Sequence, residues 1–176
     1  MGKTKLIALS GVCGAVAEVC MLACSVAFWA ALILSVVASI AVVIPLLVDS
    51  KALMYSILVY AVAGILGGFA VVALGNVVYV APMVAFAMPF AIVKVYGERG
   101  FHPIVKWVFY YVLLEFGIGL TLLAAYSFAQ PLFNQIVSND YFYLLLAALQ
   151  LVVIPYDLLM RGCLMGVTKI LHKIVK

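Results

Sequence analysis

Three carboxylates stand inside long apolar runs: Glu18, Glu115 and Asp157. A charge at the centre of a membrane helix costs about 2.5 to 3.5 kcal/mol to insert, so such groups bind, move protons or tie helices together. Asp157 has a local answer, because Arg161 follows four residues later on the same helical face. That spacing predicts an Asp157–Arg161 structural ion pair anchoring the last helix. Glu115 has no cation three or four positions away, and Tyr111 and Gly119 share its face. It serves either a ligand or proton-linked step or an interhelical hydrogen bond. Glu18 poses the same alternatives.

Tyr143, Gln150 and Asp157 recur every seven residues and form a polar stripe along one helical face. Gln150 falls at about the depth of Glu115. Convergence of the two faces predicts a mostly apolar pocket holding a few polar groups, the usual construction of a small-molecule site. Asn76, Tyr79, Tyr126, Gln130 and Asn134 lie in or beside the connections on that side and would form its rim. Each is accounted for singly by solvation; together they complete an expected substrate-binding set of Glu115, Gln150, Tyr143, Asn76, Tyr79, Tyr126, Gln130 and Asn134. On this reading Glu115→Gln weakens ligand retention and leaves the bundle folded.

Nothing here resembles an enzyme. There is no Walker A segment, no HExxH, no Gly-x-Ser-x-Gly elbow and no Ser/His/Asp set at one depth. Cys13, Cys20, Cys24 and Cys163 all sit within apolar runs, and His102 is far from His172, so neither a metal site nor a cofactor is expected. The net charge of +4 comes from cations at helix ends rather than from a patch interleaved with aromatics, which argues against nucleic acid.

The elements that carry these residues follow from composition. Hydrophobic residues make up 69% of the chain and charged ones 9%, whereas soluble domains are nearer half and a quarter, so this is an integral membrane protein. A span needs about 20 apolar residues. Residues 6–24, 30–48, 52–72, 77–93, 104–126 and 141–164 supply six, predicting an all-α polytopic protein: one bundle of six transmembrane helices with no separate soluble domain. The N-terminus imitates a signal peptide, but its hydrophobicity continues too far, and an uncleaved first span is expected. Pro45 bends the second span, Gly64, Gly67 and Gly68 allow close approach in the third, and Pro82 and Pro89 interrupt the fourth. Gly75-Asn76 forms a turn, and Lys169, His172, Lys173 and Lys176 form a basic tail.

The segment from Lys94 to Lys106 orients the chain. Its Lys/Arg excess and its Gly and Pro residues mark a short cytoplasmic loop. With six spans, Lys3, Lys5, Lys51, Lys94, Arg99, Lys106, Arg161, Lys169, Lys173 and Lys176 all fall on or toward one side, and both termini are cytoplasmic. Five spans would split the basic ends across the membrane.

Small residues recur on the first helix: Ser10 and Gly14, and Gly11 and Ala15, are each four apart. Such spacing lets backbones approach in lipid, either within the bundle or against another subunit.

The six apparent spans, the small-xxx-small pattern of the first helix, the segment from Pro89 to Arg99 and Pro155-Tyr156-Asp157 with basic residues after it resemble the substrate-binding S components of energy-coupling factor (ECF) transporters. The resemblance implies a bacterial cell-membrane subunit that captures a vitamin or other micronutrient from outside and works with a transmembrane coupling protein and two ATPases. It also implies a partner interface at Ser10, Gly11, Gly14 and Ala15. Two other readings stand beside it. One is an accessory or assembly subunit with no ligand of its own; the other is a proton-linked carrier using Glu115 or Glu18, against which the lack of an inverted repeat counts.

Overall fold

The computed structural model describes residues 2–74 and 76–175. Seven helices account for nearly all of it, with no strand among the described residues. They are α1 (Lys3–Val26), α2 (Ala31–Val48), α3 (Leu53–Ala73), α4 (Val77–Gly97), α5 (Pro103–Phe128), α6 (Gln130–Val137) and α7 (Phe142–Val175). All but α6 are long and apolar enough to cross a membrane. The helices overlap the six expected stretches, and large apolar side chains such as Ile7, Phe69, Val112 and Leu151 cover their outward faces, as contact with a bilayer requires.

The bundle is organised about α4. It packs against α2, α3 and α5 and touches α1, and more than half of its spanning window is buried, whereas α7 leans only lightly on α2 and α5. Close approach follows from specific residues. A Cβ on Gly67 of α3 would lie 2.8 Å from the thioether of Met21 on α1, and one on Gly117 of α5 would lie 2.8 Å from the Phe86 Cβ of α4. Of the three glycines expected to permit approach in α3, Gly68 faces open space.

Within α4, the stretch Met83–Ala87 is a π-helical turn in which the Met88 N–H donates to the Met83 carbonyl five residues back. Pro82 and Pro89 bracket this turn. Pro89 lacks a donor and crowds the carbonyl of Ala85 four residues before it, inside the widened turn, and the widening relieves that crowding while keeping the chain helical through lipid.

The fourth helix also runs past its expected end at Val93 to Gly97, so Lys94 belongs to the bundle interior and not to a loop. The connection shrinks to residues 98–102. His102 ends it by accepting, at Nδ1, the Ile104 N–H at 3.4 Å, and Pro103 takes the first helical position. Arg99 donates from Nη2 to the Leu46 carbonyl at 3.0 Å, covering one of the open carbonyls at the end of α2.

The connection expected to be a long polar loop, residues 128–140, folds instead into α6, which places Leu132, Phe133 and Ile136 toward the bundle and Gln130, Asn134 and Gln135 outward. The last helix continues beyond Leu164 into the basic tail. Gly75 of the expected turn and Lys176 of the tail lie outside the described residues, as does the side chain of His172.

Candidate functional site

Along one side of α4 the residues Phe86, Phe90 and Lys94 recur at intervals of four, facing α5 and α7, and Glu98 continues the spacing just past the helix end. They define successive layers through the bundle.

Lys94 is 0% exposed. Its Nζ lies 2.5 Å from Asp157 Oδ1 on α7 and 3.3 Å from Oε1 of Glu98, four residues on and just past the end of α4. A buried ammonium in lipid requires such compensation, and two carboxylates supply it. The expected Asp157–Arg161 pair does not form. Because α4 extends to Gly97, Lys94 takes Asp157 from across the bundle, and Arg161 projects from the exposed side of α7.

One turn along α4 from Lys94 lies an aromatic layer. Phe90 packs on Tyr110 with ring centres 4.4 Å apart and meets Tyr156 edge-on at 5.2 Å, while Phe86 lies 5.3 Å from Phe90 and 5.5 Å from Tyr156. Tyr156 shares a hydrogen bond with Ser39 of α2 at 3.4 Å. The hydroxyl of Tyr110 is buried with no hydrogen-bond partner.

On the other side of Phe86 is a cavity of about 330 Å³, walled by Pro82 and Phe86 of α4, Gly117, Ile118 and Thr121 of α5, and Leu145, Leu146 and Leu149 of α7, with Ile136 of α6 over it. It lies among the fourth to sixth spans, where a guest was expected, and its volume is in the range of small-molecule sites. Its accessible lining is carbon.

The expected substrate-binding residues do not line this cavity. Gln150 Nε2 does donate to Glu115 Oε1, so the two faces meet as their depth suggested. The bond sits on the outer seam of α5 and α7, however, with Glu115 exposed, and it ties two helices together. Tyr143 is 81% exposed on the lipid side of α7. Asn76 donates from Nδ2 to the Ser25 carbonyl at 2.9 Å, joining the end of α1 to the start of α4. Tyr79 is partly exposed and borders a smaller groove between α2 and α4. Tyr126 meets Phe133 edge-on at 5.3 Å and so holds α6 against α5, while Gln130 and Asn134 are exposed on the outer face of α6. The cavity is lined by the face of α7 adjacent to the stripe spaced by seven, with Leu145, Leu146 and Leu149.

A second feature lies on the far side of the bundle. Ser10, Gly11, Gly14 and Ala15 border a groove of about 420 Å³ between α1 and α3, together with Glu18 and Tyr55. A Cβ added to Gly11 or Gly14 would meet no neighbouring helix within 4 Å; Gly11 and Ala15 are exposed, while Ser10 and Gly14 are buried. Ser10 bonds back to the Leu6 carbonyl at 2.8 Å.

Comparisons with protein-family models, curated proteins and solved structures find no match. Sequence reading missed Lys94 because it stands first after an apolar run and looked like the opening of a loop. The four-residue series through Phe86, Phe90 and Glu98 was the available signal. No cluster of three metal-binding side chains occurs among the described residues.

Proposed function

We propose that this chain is a substrate-capture subunit resembling those of ECF-type micronutrient or vitamin importers, and that it holds a small, largely apolar molecule in the cavity beneath α6. The observation that carries the reading is the position of that cavity. It lies among the last three spans, toward the cation-poor end, under a short amphipathic helix, with an aromatic layer and a buried ion pair between it and the basic end. On this reading the basic end and both termini are cytoplasmic in a bacterial cell membrane, and the cavity opens outward.

The chain has no nucleotide-binding motif, so uphill movement of a ligand requires energy from partner ATPases through a coupling protein. The small-residue groove beside α1, with Gly11 and Ala15 exposed along it and Ser10 and Gly14 buried within it, is the surface assigned to that partner. Carbon lining makes the ligand's apolar portion the recognised part; of the polar residues at first assigned to it, Glu115, Gln150, Asn76 and Tyr126 join helices or connections instead, and Tyr143, Gln130 and Asn134 are exposed.

The alternative is an accessory or assembly subunit of another membrane complex with no ligand of its own. The displacement of every expected polar contact from the cavity favours it. Purification in mild detergent followed by native mass spectrometry separates the two. Capture predicts a bound small molecule that Leu146→Trp, which fills the cavity, removes; an accessory role predicts protein partners and an empty cavity in both forms.

A further inference from the structure

At the basic end, α2, α4 and α7 diverge around a groove of about 430 Å³. Arg99, Arg161 and Lys169 stand around it, and Leu47, Leu164 and Met165 form its apolar wall. The charges are available. Neither Arg161 nor Lys169 has a carboxylate within ion-pair distance among the described residues, since Asp157 is taken by Lys94. Arg99 spends one nitrogen on the Leu46 carbonyl and keeps the rest of its guanidinium free. The carboxylate of Glu98, which also borders the groove, is drawn toward Lys94 at 3.3 Å.

Depth favours a ligand from the bilayer. The 34 residues of α7 extend about 50 Å at 1.5 Å per residue, well beyond a hydrocarbon core of about 30 Å. Its end from Arg161 to Lys169 therefore crosses from the edge of the acyl region into the headgroups. A groove at that level with cations above an apolar wall matches both halves of an anionic phospholipid, and basic pockets between membrane helices recognise such headgroups.

We infer that the groove between α2, α4 and α7 is a binding site for one anionic phospholipid, with Arg161, Lys169 and Arg99 on the phosphate and Leu164 and Met165 against the glycerol and upper acyl chain. The lipid would brace α7, the spanning helix with the smallest buried share. The inference depends neither on the chain capturing a substrate nor on the direction in which the cavity opens.

The test uses the full chain in mild detergent, titrated with phosphatidylglycerol or phosphatidylcholine and followed by native mass spectrometry. One phosphatidylglycerol should be retained in preference to phosphatidylcholine. Arg161→Gln with Lys169→Gln should weaken it roughly twentyfold or more, from about 1 kcal/mol per cation near a membrane surface. The double variant Lys3→Gln, Lys5→Gln removes the same charge away from the groove and should leave retention unchanged. Equal loss in both double variants, or no preference for phosphatidylglycerol in the natural chain, overturns the site. Competition by millimolar inorganic phosphate would make it a site for a soluble anion and overturn the lipid assignment. Photo-crosslinking of the natural chain with an acyl-labelled phosphatidylglycerol keeps the test independent of how the variants fold. Labels concentrated at Leu164 and Met165 support the site, and labels spread evenly around the bundle refute it.

Discussion

Lys94 shows how one side chain can be decisive without touching a ligand. It is buried with its nearest counter-charge on another helix, so removing that counter-charge leaves an ammonium in lipid with only Glu98 to balance it. Asp157→Ala should destabilise the bundle by about 3 to 5 kcal/mol, the cost of breaking a buried pair, read as a large fall in melting temperature in detergent. Replacing both members, Lys94→Met with Asp157→Leu, should recover most of that loss. Equal damage from the single and double changes would mean that the pair does not act as a unit. The orphan hydroxyl of Tyr110 gives the opposite sign. Tyr110→Phe removes a buried group without a partner and keeps the ring on Phe90, so stability should hold or rise by about 1 kcal/mol. A clear loss would show that the hydroxyl has a partner. Glu115→Gln, at first expected to weaken ligand retention, should leave it unchanged, because the carboxylate is outside the cavity and Gln150 can still bond an amide.

Among the elements, α4 carries the most. Its π-helical turn between two prolines sets Phe86 against Gly117, and from there the four-residue series places the aromatic layer and Lys94 in line. Gly117→Val puts a side chain where Phe86 already is and should cost about 1 to 3 kcal/mol by overpacking. Gly11 of α1 is the contrast, with open space beside it. Gly11→Leu should melt at the same temperature as the natural chain yet lose any partner that docks on α1. If the partner still co-purifies, the small-residue groove is not its interface. Helix α6 was not legible from composition, because Gln130, Asn134 and Gln135 read as loop residues. Its helicity depends on an apolar face that has something to cover, and Tyr126 with Phe133 supplies one such contact.

At the scale of the whole molecule, the asymmetry is between a basic end with a groove among cations and an end without Lys or Arg that holds a carbon-lined cavity. Single cysteines placed at Gly100 and at Asn139, both exposed in connections, should react with an impermeant maleimide from opposite sides of the membrane, Asn139 from outside. The natural Cys13, Cys20 and Cys24 are buried and Cys163 partly so, which keeps the background low. Labelling of Gly100→Cys from outside would turn the cavity toward the cytoplasm and remove the capture reading.

Hydropathy alone determined that the chain lives in a bilayer and how many times its helices can cross it, since a run of about 20 apolar residues has one stable environment and one secondary structure there. It also put the cations toward one end of the bundle and brought Glu115 to the level of Gln150, because depth is linear in residue number along a helix. Rotation of each helix about its axis was decided only by packing. In lipid every face of a span is apolar, so periodicity does not say which side is inward. That is why Asp157 could be assigned to Arg161 on its own helix when Lys94 on another lay closer. It is also why a polar stripe on α7 could be taken for the cavity wall when the wall is the neighbouring leucine face.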